Sequence, residues 1–266
     1  MPIIIITALM LSVALPITSH IIIHHHQQQE ALAIPDDTRT SITTNAACGQ
    51  VVEGLVELTS NLNCSGDGLI VGDDGTTIRL NGHTIRGPGP DSSKVGISVG
   101  NENGVMIQGK GTIEQFQTGV LASGAKSTLI SLVNLRENQI AVSSTGTEEL
   151  QAMKNKITQN SIGLASHSSS SLELTHNLVT GNQLAGITLV NTDGSLISKN
   201  NVRENHNGIF VDAESNGNRV ESNDFFENEI DLNNANGLAI NVNSNSFSDN
   251  NCETSNPTGL CITAIK

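Results

Sequence analysis

Asn177–Val190 reads "NLVTGNQLAGITLV" and Asn200–Val211 reads "NNVRENHNGIFV". The second stretch restarts the first after 23 residues, as Asn-x-Val-x-x-Asn followed by Gly-Ile-x-aliphatic. The large apolar residue of this phrase recurs at Ile113, Leu135, Ile157, Val179, Val202, Phe225 and Phe247, at spacings of 22, 22, 22, 23, 23 and 22. Such regularity is an internal repeat. Two residues before that position stand Asn155, Asn177, Asn200, Asn223 and Asn245, and three after it Asn138, Asn160, Asn182, Asn205, Asn228 and Asn250. The Asn pattern gives way to Val133 and Phe116 toward the N-terminal end. A second marker, Gly before an aliphatic residue, appears at Gly68, Gly96, Gly119, Gly163, Gly186 and Gly208, with Ala141 and Asp231 in the same register. One step of 28 residues, from Gly68 to Gly96, contains "RGPGPDSS" (Arg86–Ser93), which reads as an inserted loop.

Within each repeat the aliphatic residues form short period-2 pairs, such as Leu172 with Leu174 and Ile187 with Leu189, separated by Ser, Asn, Gly and Asp. These are strands bounded by turns. No stretch after residue 48 sustains a 3.6-residue apolar period, so helices do not connect them. Three short strands and three bends per repeat make one coil of an all-β, right-handed parallel β-helix. Successive coils then hydrogen-bond at about 4.8 Å, and the repeats give about eight to nine coils. Asn suits such corners because it tolerates a left-handed backbone and its amide both donates and accepts, so that stacked side chains can link coils. A leucine-rich-repeat horseshoe has a similar period but needs a Leu-x-x-Leu-x-Leu scaffold, which is not present.

The passage "DGLIVGDDGTTIRLNGHTIRGPG" (Asp67–Gly89) and the downstream Asn-x-aliphatic-x-x-Asn-x-x-Gly-Ile coils resemble the right-handed parallel β-helix repeats of the pectin-lyase-like superfamily. They look most like its secreted or periplasmic, carbohydrate-associated branch, which includes NosD-type proteins. The resemblance covers about Cys48 to Asn250 and implies the fold. It does not fix an activity, because the superfamily holds lyases, hydrolases, epimerases, adhesins and scaffolds.

The chain has 266 residues, five Phe, no Trp and no Tyr, so its interior must be layered from Val, Ile, Leu and small residues. Lys plus Arg number 13 against 26 Asp plus Glu, a formal charge of −13. That balance argues against nucleic acid or an anionic membrane as partner and leaves divalent cations as candidates. The apolar run Ile3–Leu15, ended by Pro16, has the length of a secretory signal core, though no Lys or Arg precedes it. Ala31-Leu32-Ala33 could be a cleavage site but lies well beyond that run, and a membrane anchor through Ile23 is the competing reading. Residues 24–47 read as a polar linker, and residues 48–266 as the β-helix. The expected location is therefore secreted or cell surface.

Four cysteines in an exported chain suggest two disulfides, with three possible pairings. The solenoid chooses among them: Cys48 and Cys64 fall at one end and Cys252 and Cys261 at the other, about 40 Å away, whereas bridged Cα atoms lie within about 7 Å. Cys48–Cys64 and Cys252–Cys261 are the expected bridges.

Aligning the coils on the Gly marker exposes the outward columns of one strand. Two residues after the marker lie Ile70, Ser98, Leu121, Ser143, Ala165, Thr188, Phe210 and Asn233; four after it lie Gly72, Gly100, Ser123, Thr145, His167, Val190, Asp212 and Ala235. Only His167 and Asp212 are titratable. Hydrolysis of a glycan calls for two carboxylates about 5–9.5 Å apart. Proton abstraction beside a uronate calls for a base and a cation. The nearest approach is Asp193, Asp212 and Glu214, on adjacent coils near one bend, with no Arg or Lys in the same columns. Turn solvation is the favoured account of these acids, since Asp is a preferred turn residue, and an acid/base or calcium site is the alternative.

Other candidates carry less. "GDDG" (Gly72–Gly75) has turn composition and too few oxygens for a hard cation on its own. His24, His25 and His26 could hold a metal but sit in the linker, and His83 in "LNGHTI" reads as structural. Only Phe210 offers a ring for sugar stacking from these columns. The reading favoured by the residues is an exported β-helix that weakly binds extracellular polysaccharide or serves as a surface scaffold, with calcium as the candidate ion. The rivals are a carbohydrate-active enzyme using Asp193, Asp212, Glu214 and His167, and a purely structural surface protein.

Overall fold

Each coil places an aliphatic residue directly above its counterpart one repeat earlier, and that register builds the molecule. In the computed structural model, which describes residues 42–239 and 241–261, every strand pairing is parallel and the described residues contain no helix. Ten strands, from Gln50–Val52 to Ser255–Asn256, stack into one sheet in chain order, and nine steps separate the first from the last. A second, 16-stranded sheet holds the other two strands of each coil. The coil after Gln151, for instance, runs through Gln151–Met153, Lys156–Thr158 and Ile162–His167.

The interior is made of continuous aliphatic stacks. One runs Leu62, Ile85, Ile113, Leu135, Ile157, Val179, Val202 and Phe225, each paired in register with the next. A second runs Val56, Ile78, Ile107, Ile130, Ala152, Leu174, Ile197, Val220 and Phe247. Phe247 therefore leaves the column that the repeat spacing assigns to it. The last coil carries extra residues, so that 27 rather than 22 or 23 residues separate Val220 from Phe247. Both interior columns follow an Asn-x-aliphatic phrase, and the longer step brings the wrong phrase into apparent register.

The Asn residues form two buried ladders. In the first, Asn155, Asn177, Asn200, Asn223 and Asn250 follow one another, and each Oδ1 accepts from the backbone N–H and Nδ2 of the Asn below, at 2.9–3.1 Å. The second runs Asn138, Asn160, Asn182, Asn205 and Asn228. Asn250 belongs to the first ladder, and Asn245 to a third position where it accepts from Asn218. The backbone N–H groups of Val133 and Phe116 close the two ladders at their N-terminal ends by donating to Asn155 and Asn138. The amide linkage between coils is as expected, but the left-handed residue is the one before the Asn. Lys154, His176, Lys199, Ser222 and Asp249 precede the first ladder with φ of 52–57°. Gln159, Glu204 and Glu227 precede the second with φ of 56–57°.

The Gly marker has a different cause. A Cβ on Gly186 would sit 2.7 Å from the carbonyl oxygen of Gly208, and one on Gly163 would sit 2.4 Å from that of Gly186. The next coil occupies the space a side chain needs. Asp231 can fill the register in the last coil because it meets donors there: its Oδ2 accepts the Glu253 and Thr254 N–H groups at 2.9 and 3.1 Å. Gly186→Val should accordingly destabilise the protein by about 2–4 kcal/mol, measured as the shift of a denaturant midpoint. A midpoint equal to the parent's would show that the coils separate freely at this corner.

Both disulfides form as expected, Cys48–Cys64 and Cys252–Cys261, with Cα separations of 5.5 and 5.3 Å. The solenoid starts before Cys48, within the stretch read as linker. Ile42–Thr43 pairs with Leu55–Val56, and the Thr59 hydroxyl donates to the Thr44 carbonyl at 2.9 Å. The segment assigned as signal or anchor, residues 1–23, and His24–His26 lie outside the described residues.

Candidate functional site

The outward column read from the Gly marker is present in register. Ile70, Ser98, Leu121, Ser143, Ala165, Thr188, Phe210 and Asn233 pair in that order along the ten-stranded sheet. His167 is exposed and pairs with Thr145 and Val190. Asp212 follows the strand Asn207–Val211, and its carboxylate is committed to the turn. It accepts the Ser215 N–H at 2.9 Å, the Ser215 hydroxyl at 2.5 Å and the Asn191 N–H at 3.0 Å. The exposed Asp193 carboxylate accepts the Asn216 N–H at 2.7 Å, one coil on. Glu214 is exposed and contributes its backbone carbonyl to the Asn216 amide at 2.6 Å. The bend thus uses both Asp side chains to satisfy backbone donors, which is what turn acids do.

Sequence reasoning missed the charges of the 16-stranded sheet, because the Gly alignment reads only the other one. Glu114 is buried, with its side chain 1% exposed, between two guanidinium groups from adjacent coils. Arg136 Nη2 lies 2.6 Å from Oε2, and Arg86 Nη2 contacts Oε1. Arg86 opens the inserted loop, so this triad ties the loop's base to the coils beneath. Beyond it, Glu137 accepts from Gln115 Nε2 at 2.7 Å and from Arg136 Nη1 at 3.0 Å.

The loop roofs an open groove of about 380 Å³, walled by Pro90 and Asp91. Its floor carries the side-chain amides of Gln115, Gln139, Gln159 and Gln183, with Glu137 among them. Two further grooves, about 330 and 300 Å³, lie across the outer face of the 16-stranded sheet and share Lys156. Aligning on Asn155, Asn177 and Asn200 rather than on the Gly marker reveals a row on that face, Lys154, His176 and Lys199, whose two lysines are cationic.

A parallel solenoid with stacked Asn ladders, disulfide-closed ends and polar outer grooves defines the class of right-handed parallel β-helix proteins. Residues 60–259 match the model of the NosD family, described as periplasmic copper-binding protein, and the chain belongs to that family. Two disulfides accord with the oxidising compartment this description names. No curated protein sequence matches the chain. Among solved structures, the A-module of mannuronan C-5 epimerase AlgE4 from Azotobacter vinelandii is 11% identical, covering 80% of this chain and 79% of that one, with a TM-score of 0.39. The enzymatically active domain of bacteriophage CBA120 tailspike protein 2 is 14% identical, with a TM-score of 0.36. That match covers 80% of this chain, which spans only 42% of the tailspike domain.

The family description implies copper, and the described residues do not fit it. Soft copper sites draw on thiolate, thioether and imidazole ligands. All four cysteines are in disulfides, Met106 and Met153 stand two coils apart in different registers, and no three His, Cys, Asp or Glu side chains converge among the described residues. His206 is 2.6 Å from Glu229, while His83, His167 and His176 stand on other columns.

Proposed function

We propose that the protein is an exported β-helix that binds polysaccharide along its coils without turning it over. The observation that carries this reading is the groove beneath Pro90 and Asp91. Coil stacking places Gln115, Glu137 and Gln159 in one column and Gln139, Ser161 and Gln183 in the next, so two short polar rows line the groove. A Gln amide can donate to and accept from a sugar hydroxyl, although Gln115 Nε2 is already given to Glu137, and rows that advance coil by coil suit a chain ligand. With no aromatic ring in the groove, affinity rests on hydrogen bonds and is weak.

The catalytic alternative needs an acid and a base free to exchange protons with substrate, and Asp212 and Asp193 are engaged by backbone donors. Binding to a glycan panel, by calorimetry with and without calcium, tests the proposal. At least one polysaccharide should bind, and the double variant Gln139→Ala, Gln159→Ala should bind it about tenfold more weakly. A protein that binds no glycan in either condition would not have this function. Incubation with pectate, alginate and neutral glucans should release neither unsaturated product nor reducing ends. Turnover that disappears in Asp212→Asn or Glu214→Gln would replace the binding role with an enzymatic one.

A further inference from the structure

The formal charge of −13 conceals a cationic face. Lys110, Lys154, Lys156 and Lys199 are all exposed on the outer side of the 16-stranded sheet, on coils that span Met106 to Arg203. Among the described residues none of these four is in an ion pair. The groove of about 330 Å³ has Lys110, Lys154 and Lys156 in its lining and no carboxylate. Lys156 continues into the next groove, which ends at Arg203 and Glu204. The two grooves make one track along the stack of coils, and Lys199 stands outside both linings on the coil that carries Arg203.

The corner that bears Lys154 and Lys199 has a left-handed backbone. Their φ values are 56° and 55°, and His176 between them has 57°. Glycine occupies this backbone region without the steric cost that a Cβ brings, and it stands at left-handed corners elsewhere in this chain, as at Gly181 and Gly194. The same corner holds Leu132, Ser222 and Asp249 on other coils, so the left-handed backbone belongs to the coil, and the exposed lysines at two of these corners belong to this stretch of the face.

Resting on the proposed polysaccharide binding, we infer that this track selects acidic glycans, with Lys154 and Lys156 on one coil and Lys199 two coils on contacting carboxylate or sulfate groups of alternate sugars. Coils repeat at about 4.8 Å, close to the length of one sugar unit in an extended chain, and Lys110, then Lys154 with Lys156, then Lys199 stand on every second coil, so a regularly charged polymer meets a cation at about every second sugar. The shallow grooves mix polar side chains, Thr112, Asn134 and Thr158, with the apolar Leu132 and Leu178, a combination that can meet both the hydroxyls and the C–H faces of sugars beside the lysines. The negative charge on the rest of the molecule confines such a ligand to this face.

The test uses the full chain and one polymer in two forms, a polyuronate and the same polyuronate with its carboxyls methyl-esterified. The acid form should bind at least about tenfold more tightly than the ester, with an affinity that falls as salt is raised. Lys154→Gly, Lys156→Gln and Lys199→Gly together should remove that preference. Because glycine relieves the left-handed corners, the variant should melt no lower than the parent, so lost binding cannot be charged to lost folding. Equal binding of both forms, or a triple variant that keeps the preference, overturns the acidic track while leaving polysaccharide binding intact. Failure of both forms while neutral glycans bind overturns the track alone, and failure of every glycan removes the broader function too. Binding of poly-L-glutamate as tight as that of the polyuronate would overturn the assignment to glycan.

Discussion

Ile157→Asp should abolish the folded state of the solenoid. Ile157 is 1% exposed and stacks between Leu135 and Val179 in the interior column. Its neighbours offer no hydrogen-bond donor, and a carboxylate there is left desolvated and unpaired. The cost exceeds about 4–5 kcal/mol, a large part of the stability of a domain of this size. Circular dichroism should lose its cooperative β-sheet transition, and limited proteolysis should cut throughout residues 42–261. The companion Ile157→Val, which removes one methylene group, should cost only about 1 kcal/mol and keep the transition. A melting temperature for Ile157→Asp within a few degrees of the parent's would show that the column is not the core it is taken to be.

Asn177→Ala should cost about 3–5 kcal/mol and lower the melting temperature by about 10 °C. All four hydrogen-bonding capacities of this buried amide are in use. Its Oδ1 accepts the Asn155 N–H at 3.0 Å and Asn155 Nδ2 at 3.1 Å, while its Nδ2 donates to the Ala152 carbonyl at 2.7 Å and to Asn200 Oδ1 at 3.0 Å. Truncation leaves the Asn155 N–H without a partner in a place water does not reach. Asn177→Asp should do no better, since it keeps the acceptors but loses both Nδ2 donors and brings a charge into the interior. Asn201→Ala is the control. Asn201 is exposed on the next coil, and its loss should change stability by no more than about 0.5 kcal/mol. Equal melting temperatures for Asn177→Ala and Asn201→Ala would mean that the ladder does not hold the coils together.

The acidic composition argues against nucleic acid and anionic membranes as partners, and it also hides a face on which Lys110, Lys154, Lys156 and Lys199 gather. A net charge sums over the molecule, whereas a ligand meets the local field. Lys154 and Lys199 are 45 residues apart in sequence and two coils apart in the fold. Their alignment is legible in the residues once the Asn ladder, rather than the Gly marker, sets the register. The Glu114 triad had no comparable signal. Arg86, Glu114 and Arg136 each look like an ordinary exposed strand residue, and only pairing across three coils buries the carboxylate between two guanidinium groups.

By itself the sequence determined the repeat, the parallel stacking, the outward column of the ten-stranded sheet and the disulfide pairing. These follow from spacing alone, because a coil of nearly constant length must place equivalent residues above one another. Tertiary structure decided what depends on neighbours from other coils. It moved Phe247 and Asn250 into different columns, since the last coil is longer and two similar phrases per coil cannot be told apart by period. It gave the left-handed backbone to the residue before each ladder Asn, freeing the Asn amide to bridge coils. It explained Gly186 by a carbonyl of the next coil, and it engaged Asp212 and Asp193 with backbone donors. Spacing names which residues share a column, but hydrogen bonds and burial between coils settle what each column does.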